Sequence, residues 1–149
     1  MEQAGPEENT GPVRVGLARM LVLTGNEVGA RRLVEQVLAE DPSQVEALKM
    51  QARWMVQQDD TDGAIASLRR ALDDAPQDTQ AMTLMAEAYV RAGNQALARD
   101  FLALAVEASG NAPQESIRYA RTLSSEARYL PAEDVLISAL RVSPDNIPL

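Results

Sequence analysis

Two short segments of this sequence have residue types and spacings that suggest metal or phosphate chemistry. Segment 59–63, Asp-Asp-Thr-Asp-Gly, has the alternating acidic residues and the glycine of a calcium-binding loop. Counted from Gly63, however, Arg69 takes the last ligand place, where calcium needs a bidentate carboxylate. Segment 25–29 lacks the Gly-Lys-Ser/Thr ending of a phosphate loop. We therefore interpret both segments as turns between helices.

The chain lacks the side chains that most catalytic sites use. The chain contains no His and no Cys, which excludes a Ser-His-Asp triad, a thiol nucleophile, a disulfide framework and zinc or iron–sulfur ligation through these residues. The neighbouring carboxylates Asp73-Asp74 and Glu133-Asp134 are adjacent on predicted helices, so they cannot converge on one bond. We predict a protein that is not an enzyme and needs no cofactor or metal.

Composition and charge define the remaining classes. The 149 residues are 46% hydrophobic with a formal net charge of −8, as expected for one acidic globular domain. Such a charge argues against nucleic-acid binding, which needs a basic face. No apolar run approaches the roughly 18 to 20 residues that span a bilayer, so direct membrane insertion is not expected. The 24 alanines and five aromatic residues favour closely packed helices.

A 34-residue repeat supplies the elements that would position a binding surface. Four windows, 11–44, 45–78, 79–112 and 113–146, follow one another without insertion. The eighth place of each window is alanine, and so is the twentieth: Ala18, Ala52, Ala86, Ala120 and Ala30, Ala64, Ala98, Ala132. Small side chains at both places allow two helices to approach closely. The pattern predicts eight helices, near 12–24, 28–41, 46–58, 62–75, 80–92, 96–109, 114–126 and 130–143.

These windows resemble the tetratricopeptide repeat, a helix–turn–helix unit of 34 residues with small residues and Pro at these spacings. The resemblance covers residues 11–146 and implies an all-α, right-handed superhelical solenoid of about eight antiparallel helices. The fourth place, often Trp in this family, departs from the pattern. Because Arg14 and Ser116 hold it in the first and last windows, we expect weaker packing in the outer repeats.

The resemblance also implies a function and a binding surface. In similar proteins the first helix of each repeat lines a concave groove that holds a protein or peptide, with contacts at the second, fifth, ninth, twelfth and thirteenth places. The predicted function is a non-catalytic protein–protein interaction scaffold. The predicted partner-binding residues are Arg19, Val22, Lys49, Arg53, Val56, Glu87, Val90, Ile117, Arg118 and Arg121. A clamp for a chaperone tail is not expected, because Arg53, Leu84 and Gln114 stand where Asn, Asn and Lys are needed.

Charge partition favours an acidic partner. The four first helices carry seven basic and four acidic residues, whereas the four second helices carry six basic and ten acidic residues. A mildly basic groove with a floor of Val22, Val56 and Val90 would suit an extended or helical peptide with acidic groups. Alternatively, these arginines pair with Glu46, Glu87 and their neighbours. Trp54 is interpreted as an inter-helix packing residue rather than a ligand contact.

The two ends of the chain lead to a second functional hypothesis. Residues 1–10 are predicted to form a flexible acidic tail, and residues 147–149 are in register with the start of a further repeat. The last helix would leave an apolar strip uncovered: Leu136, Ile137, Leu140 and Val142. We therefore expect a segment of a longer array that contacts further repeats or its own copies, with a homodimer through this C-terminal edge as one form. Thirteen Arg against one Lys indicate a bacterial source, either cytoplasmic or exported and envelope-attached, and the sequence does not distinguish these locations.

Overall fold

The structure, a computed structural model, describes residues 10–145 as helices joined by short turns. Most of the tail predicted over 1–10, and the segment 147–149, lie outside the described residues. Eight helices occupy the described part: α1 Gly11–Leu23, α2 Glu27–Glu40, α3 Val45–Gln57, α4 Thr61–Asp74, α5 Thr79–Arg91, α6 Gln95–Ala108, α7 Pro113–Ser125 and α8 Tyr129–Val142. The predicted all-α repeat fold, with two helices per repeat, is confirmed.

Every helix begins and ends one residue earlier than predicted. Side-chain caps set most of the starts. Asn26, Asp60 and Asn94 each accept a hydrogen bond from the backbone N–H three residues ahead, at 3.0, 3.0 and 3.1 Å. Gln44 and Asp78 do the same for α3 and α5, at 2.6 and 2.9 Å. The first helical residue directly follows each cap, so the helix starts one place sooner than the apolar periodicity indicates.

The paired alanines form the centre of each repeat. All eight are buried, with at most 3% of their surface exposed. Ala52 and Ala64, from the two helices of the second repeat, lie in one apolar cluster with Leu68 and Met85. Because that cluster reaches into α5, it joins the second repeat to the third as well as closing the second. The same small residues therefore hold each hairpin together and bring its larger apolar residues to the next repeat.

Turn geometry repeats as regularly as the helices. The fifteenth place of each window, Gly25, Asp59, Gly93 and Ala127, has a positive φ of 84°, 62°, 80° and 60°. The next residue's N–H donates back to a carbonyl five residues earlier, as in Arg128 to Leu123 at 2.8 Å. This helix ending requires a left-handed residue. Glycine adopts that conformation freely, whereas Ala127 carries a Cβ that opposes it.

Relief of this backbone strain should stabilise the last repeat. We expect Ala127→Gly to raise the free energy of unfolding by about 0.5–1 kcal/mol, because glycine removes the left-handed penalty while adding some chain entropy to the unfolded state. The matched reverse change is Gly93→Ala, where a Cβ would meet nothing within 4 Å, so only the backbone term acts. It should lower stability by a similar amount. Urea denaturation followed by circular dichroism measures both, and a destabilised A127G would contradict the explanation.

The fourth place of the repeat differs in the outer windows. Leu48 and Met82 are buried there in the middle repeats, whereas Arg14 reaches out to pair with Glu40. Ser116 is fully buried, and its hydroxyl has no hydrogen-bond partner among the described residues. A buried unpaired hydroxyl costs free energy that an apolar side chain would not.

Removing that hydroxyl should therefore stabilise the fold. We expect Ser116→Ala to raise the free energy of unfolding by about 1 kcal/mol. The matched control is Ser67→Ala, because the hydroxyl of Ser67, also a buried serine, donates to Gln51 Oε1 at 3.1 Å and its loss should lower stability. Thermal and urea unfolding of the two variants provide the measurement. Equal losses of stability in both would show that the Ser116 hydroxyl is satisfied.

Candidate functional site

Two adjoining cavities follow the first helices of the repeats. The first, of about 270 Å³, lies along α1 and α3, and the second, of about 750 Å³, lies along α3, α5 and α7. All lining residues of both cavities come from first helices. Arg53 and Gln80 line both cavities, so we treat the two as one surface, called the groove.

Eight of the ten predicted partner-binding residues line this groove. The first cavity contains Arg19, Val22, Lys49 and Arg53, and the second contains Arg53, Val56, Glu87, Val90 and Arg118. The remaining two are the half-buried Ile117 and the exposed Arg121, which line neither cavity. Each cavity needs two neighbouring first helices as walls. Arg121 lies on α7, after which the described residues contain no further first helix.

Sequence reasoning missed several lining residues. Glu46, Gln80 and Gln114 all hold the second place of their repeats, which the family resemblance includes among contact positions. Reading that place in each window would have found them. Met50 and Trp54 also line the first cavity, and only the packing of α3 on α1 reveals them, because both side chains contribute mainly to the core.

Trp54 packs between helices, as we predicted from the sequence. Its exposed fraction is 8%, and it belongs to the apolar cluster that contains Val15, Val34 and Val37. The guanidinium carbon of Arg31 lies 5.1 Å from the ring centroid, within the range of a cation–π contact. A part of the indole still borders the first cavity, where it adds apolar surface beside Val22.

Two of the three cations that line the first cavity, Arg19 and Lys49, are already paired within the chain. Lys49 is 6% exposed, and its Nζ lies 2.9 Å from Asp78 Oδ2 and 2.8 Å from Glu46 Oε1. Glu46 also forms an ion pair with Arg19. For Arg19 and Lys49 the structure therefore follows the alternative in which basic residues pair with nearby carboxylates. This network joins α1, α3 and the cap of α5, so it fixes the register of three repeats.

Three other basic residues keep their charge uncompensated. Arg53, Arg118 and Arg121 are exposed, and none forms an ion pair within residues 10–145. Arg118 Nη1 lies 3.4 Å from Thr83 Oγ1, which orients its guanidinium across the second cavity. Glu87 is also exposed in the second cavity. Arg53 has neither an ion pair nor a hydrogen bond to the described residues and borders both cavities.

Two ion pairs outside the groove shift side-chain pKa values. A side-chain hydrogen bond between Arg14 and Glu40 raises the pKa of Arg14 and lowers the pKa of Glu40. A similar hydrogen bond from Arg99 to Glu126, at 2.6 Å, raises the pKa of Arg99. Because folding lowers the pKa of Glu40, its pair stabilises the fold at neutral pH. That contribution is lost as the pH falls through the folded-state pKa of Glu40.

The described residues also bear on metal and membrane binding. Within residues 10–145, no three His, Cys, Asp or Glu side chains are grouped so that they could hold a metal ion. None of the helices in that range combines the length and apolarity needed to cross a bilayer.

The helical repeats agree with the comparisons to known proteins. The profile of one family matches residues 7–122, which is most of the chain. The chain belongs to the ChAPs family, the Chs5p-Arf1p-binding proteins. Among curated protein sequences, none matches significantly.

Solved structures show the same fold at low sequence identity. MamA 41-end from Desulfovibrio magneticus RS-1 aligns over 94% of this chain and 79% of its own, with 15% identity and a TM-score of 0.74. A thermophilic TPR protein from Thermus thermophilus, TTC0263, aligns over 90% and 75%, with 20% identity and a TM-score of 0.70. The tetratricopeptide-like solenoid is thus confirmed.

The fold and the family together support a general role as a protein-interaction scaffold. Scaffolds of this repeat type are typically not enzymes.

Two aspartate caps allow the contribution of the Lys49–Asp78 ion pair to the free energy of unfolding to be measured. Asp60 caps α4 and forms no ion pair with the described residues, so Asp60→Ala should lower the free energy of unfolding by about 1 kcal/mol. Asp78 caps α5 and also holds Lys49, so Asp78→Ala should cost more, about 2–3 kcal/mol. Urea denaturation of both variants gives the difference. Equal losses would mean that Lys49 gains nothing from Asp78.

Proposed function

We propose that the groove binds a segment of a partner protein that carries acidic side chains, and that the protein acts as a non-catalytic scaffold. The observation that carries this proposal is Arg53, an exposed guanidinium at the junction of the two cavities with no ion pair or hydrogen bond to the described residues. A guanidinium pairs with a carboxylate through two parallel hydrogen bonds. A bound carboxylate would supply the acceptor that Arg53 lacks.

The apolar surface of the groove supports a peptide rather than a small ion as the ligand. Val22 and Val90 are 38% and 45% exposed on either side of Arg53. Val56 is 4% exposed and forms part of the wall of the second cavity. An extended peptide places alternate side chains on opposite faces, so one face can cover Val22 and Val90 while an acidic residue meets Arg53. Hydrophobic contact would then supply affinity, and charge would supply selectivity.

Arg118 and Arg121 extend the proposed site along α7. Arg118 borders the second cavity, where its hydrogen bond to Thr83 orients the guanidinium before a ligand arrives. Arg121 is exposed one turn further along and adds positive potential without bordering the cavity. We therefore expect Arg53 to contribute most to binding, Arg118 less and Arg121 least. Glu87, which is exposed in the same cavity, would favour a partner with a basic or amide group opposite it.

The family description supports proteins as the ligand class. ChAPs proteins are described as binding Chs5p and Arf1p, which are protein partners. This chain shares the repeat fold that would present a groove to such a partner. The second function predicted from the sequence, self-association through the C-terminal edge, is supported by the exposure of Ile137 and Val142, at 40% and 56%.

A pair of synthetic peptides tests the charge requirement. One labelled peptide has Glu alternating with Val, and its matched peptide has Gln in place of each Glu. Fluorescence anisotropy should show binding of the Glu peptide, and Arg53→Glu should weaken it by at least about tenfold because one ion pair becomes a repulsion. Arg121→Glu should have a smaller effect, and added salt should weaken binding in every case.

Arg70→Glu is the matched control for these variants. Arg70 is exposed on α4, a second helix, and forms no ion pair with the described residues. Its reversal changes the net charge equally but lies outside the groove, so binding should persist. The proposal is wrong if the Gln peptide binds as tightly as the Glu peptide, or if R70E and R53E lose binding equally. Circular dichroism confirms that each variant keeps its helices.

A further inference from the structure

An apolar strip runs along the outer face of α1. Val13, Leu17 and Met20 are 74%, 49% and 63% exposed, although all three are large hydrophobic residues. They follow one another at intervals of four and three residues, so they lie on one side of the helix. We call these three residues the α1 strip.

The equivalent places in the other repeats show which kind of surface packs on the α1 strip. Its members hold the third, seventh and tenth places, where α5 has Ala81, Met85 and Ala88, each at most 1% exposed. Ala81 and Met85 are buried in one cluster with Leu68 of α4, the second helix of the preceding repeat. At the same places α3 has the buried Ala47 and Trp54. In the second and third repeats, this face of a first helix is therefore covered by the second helix of the preceding repeat.

The matching surface lies at the other end of the solenoid, on α8. Leu136 holds the twenty-fourth place, where Val34, Leu68 and Leu102 are at most 5% exposed, yet Leu136 itself is only half-buried. Beside it are the exposed Ile137 and Val142 and the half-buried Leu140. These four residues form the α8 edge. Inside the array, the places of Leu136 and Leu140 hold apolar residues that pack on the next first helix, such as Leu68 in the cluster with Met85. The places of Ile137 and Val142 lie at the margin of that contact, where the second repeat has the exposed Arg69 and Asp74.

We propose that the α8 edge of one copy of this chain docks on the α1 strip of a second copy, head to tail. This extends the self-association proposed above and is independent of peptide binding in the groove. The docked surfaces would continue the interface that already joins consecutive repeats, with Leu136 and Leu140 against Val13, Leu17 and Met20. The solenoid would then run unbroken from one copy into the next.

Contacts within the chain fix the expected register of this junction. Arg31, at the twenty-first place, lies over Trp54, at the tenth place of the next repeat. Arg69, at the twenty-fifth place, lies 3.4 Å from the hydroxyl of Tyr89, at the eleventh place of the next repeat. By the same register, Ile137 of one copy lies over Leu21 of the second copy, next to Met20. Ile137 is apolar where Arg69 is charged, which suits the apolar surface of α1.

Head-to-tail docking is heterologous, because two different surfaces meet. Each copy therefore keeps one free α1 strip and one free α8 edge, and association continues beyond a dimer. A symmetric dimer would instead join two α8 edges or two α1 strips and would stop there. The size of the assemblies therefore distinguishes head-to-tail association from a symmetric dimer. The net charge of −8 opposes close approach of copies, so added salt should promote association.

The experiment uses one variant at each surface of the full chain. Leu17→Glu places a charge in the α1 strip, and Ile137→Glu places one in the α8 edge. Neither residue is buried in the chain. Light scattering should show association of the unaltered chain that grows with concentration. Each variant alone should remain a monomer, since it lacks one of the two surfaces. A mixture of the two should form a dimer of twice the monomer mass and nothing larger, because only one productive junction remains.

Other outcomes overturn the proposal in distinguishable ways. A monomer at all concentrations excludes self-association altogether. Dimers of L17E alone would show a symmetric α8 contact, and dimers of I137E alone a symmetric α1 contact. Leu104→Glu is the matched control, because Leu104 is 44% exposed on α6 in the middle of the array. If L104E prevents association as well, the association is non-specific. If circular dichroism shows that L17E loses helix, Met20→Glu is used in its place.

Discussion

Close approach of two helices at paired alanines is the constraint on which this structure depends. Larger side chains at the eighth and twentieth places would push the helices apart, and the hairpin would no longer bring Leu68 and Met85 into one cluster across a repeat boundary. Because the same spacing recurs in every window, each hairpin takes a similar shape and each stacks on its neighbour in a similar way. The groove is a consequence of that stacking, since its lining residues come from first helices alone.

Charge in the groove is divided between structure and surface. Lys49 lies under the groove and is bound by Glu46 and Asp78, so it joins repeats instead of presenting a free cation. Arg53 lies only one turn further along α3, but its guanidinium is exposed and unpaired with respect to the described residues. One helix therefore carries both a buried structural cation and an open one. The sequence presents them as equivalent basic residues.

The same repeat physics explains why the two ends differ from the middle. An internal repeat buries both of its faces against neighbours, whereas α1 and α8 each lack a neighbour on one side within residues 10–145. Apolar residues at those faces, such as Leu17 and Ile137, remain exposed. In the fourth repeat, Ser116 and Ala127 also depart from the residues that best suit their places. The fourth repeat therefore combines two unfavourable residues with an exposed apolar face.

The fold could be predicted from the residues alone, because helix periodicity, alanine spacing and turn residues are local signals that recur in each window. It also identified most of the groove, since the family's contact places fall on first helices whose orientation the repeat fixes. The predicted helix bounds are one residue late at both ends; in the five helices with a side-chain cap, such as Asp78 before α5, the first helical residue directly follows the cap. Three features could not be predicted: which cations are paired, that Arg121 lies outside the cavities, and that α1 has an exposed apolar strip. Those features depend on contacts between residues of different repeats, and the spacing of residues within one repeat does not show which of them are in contact.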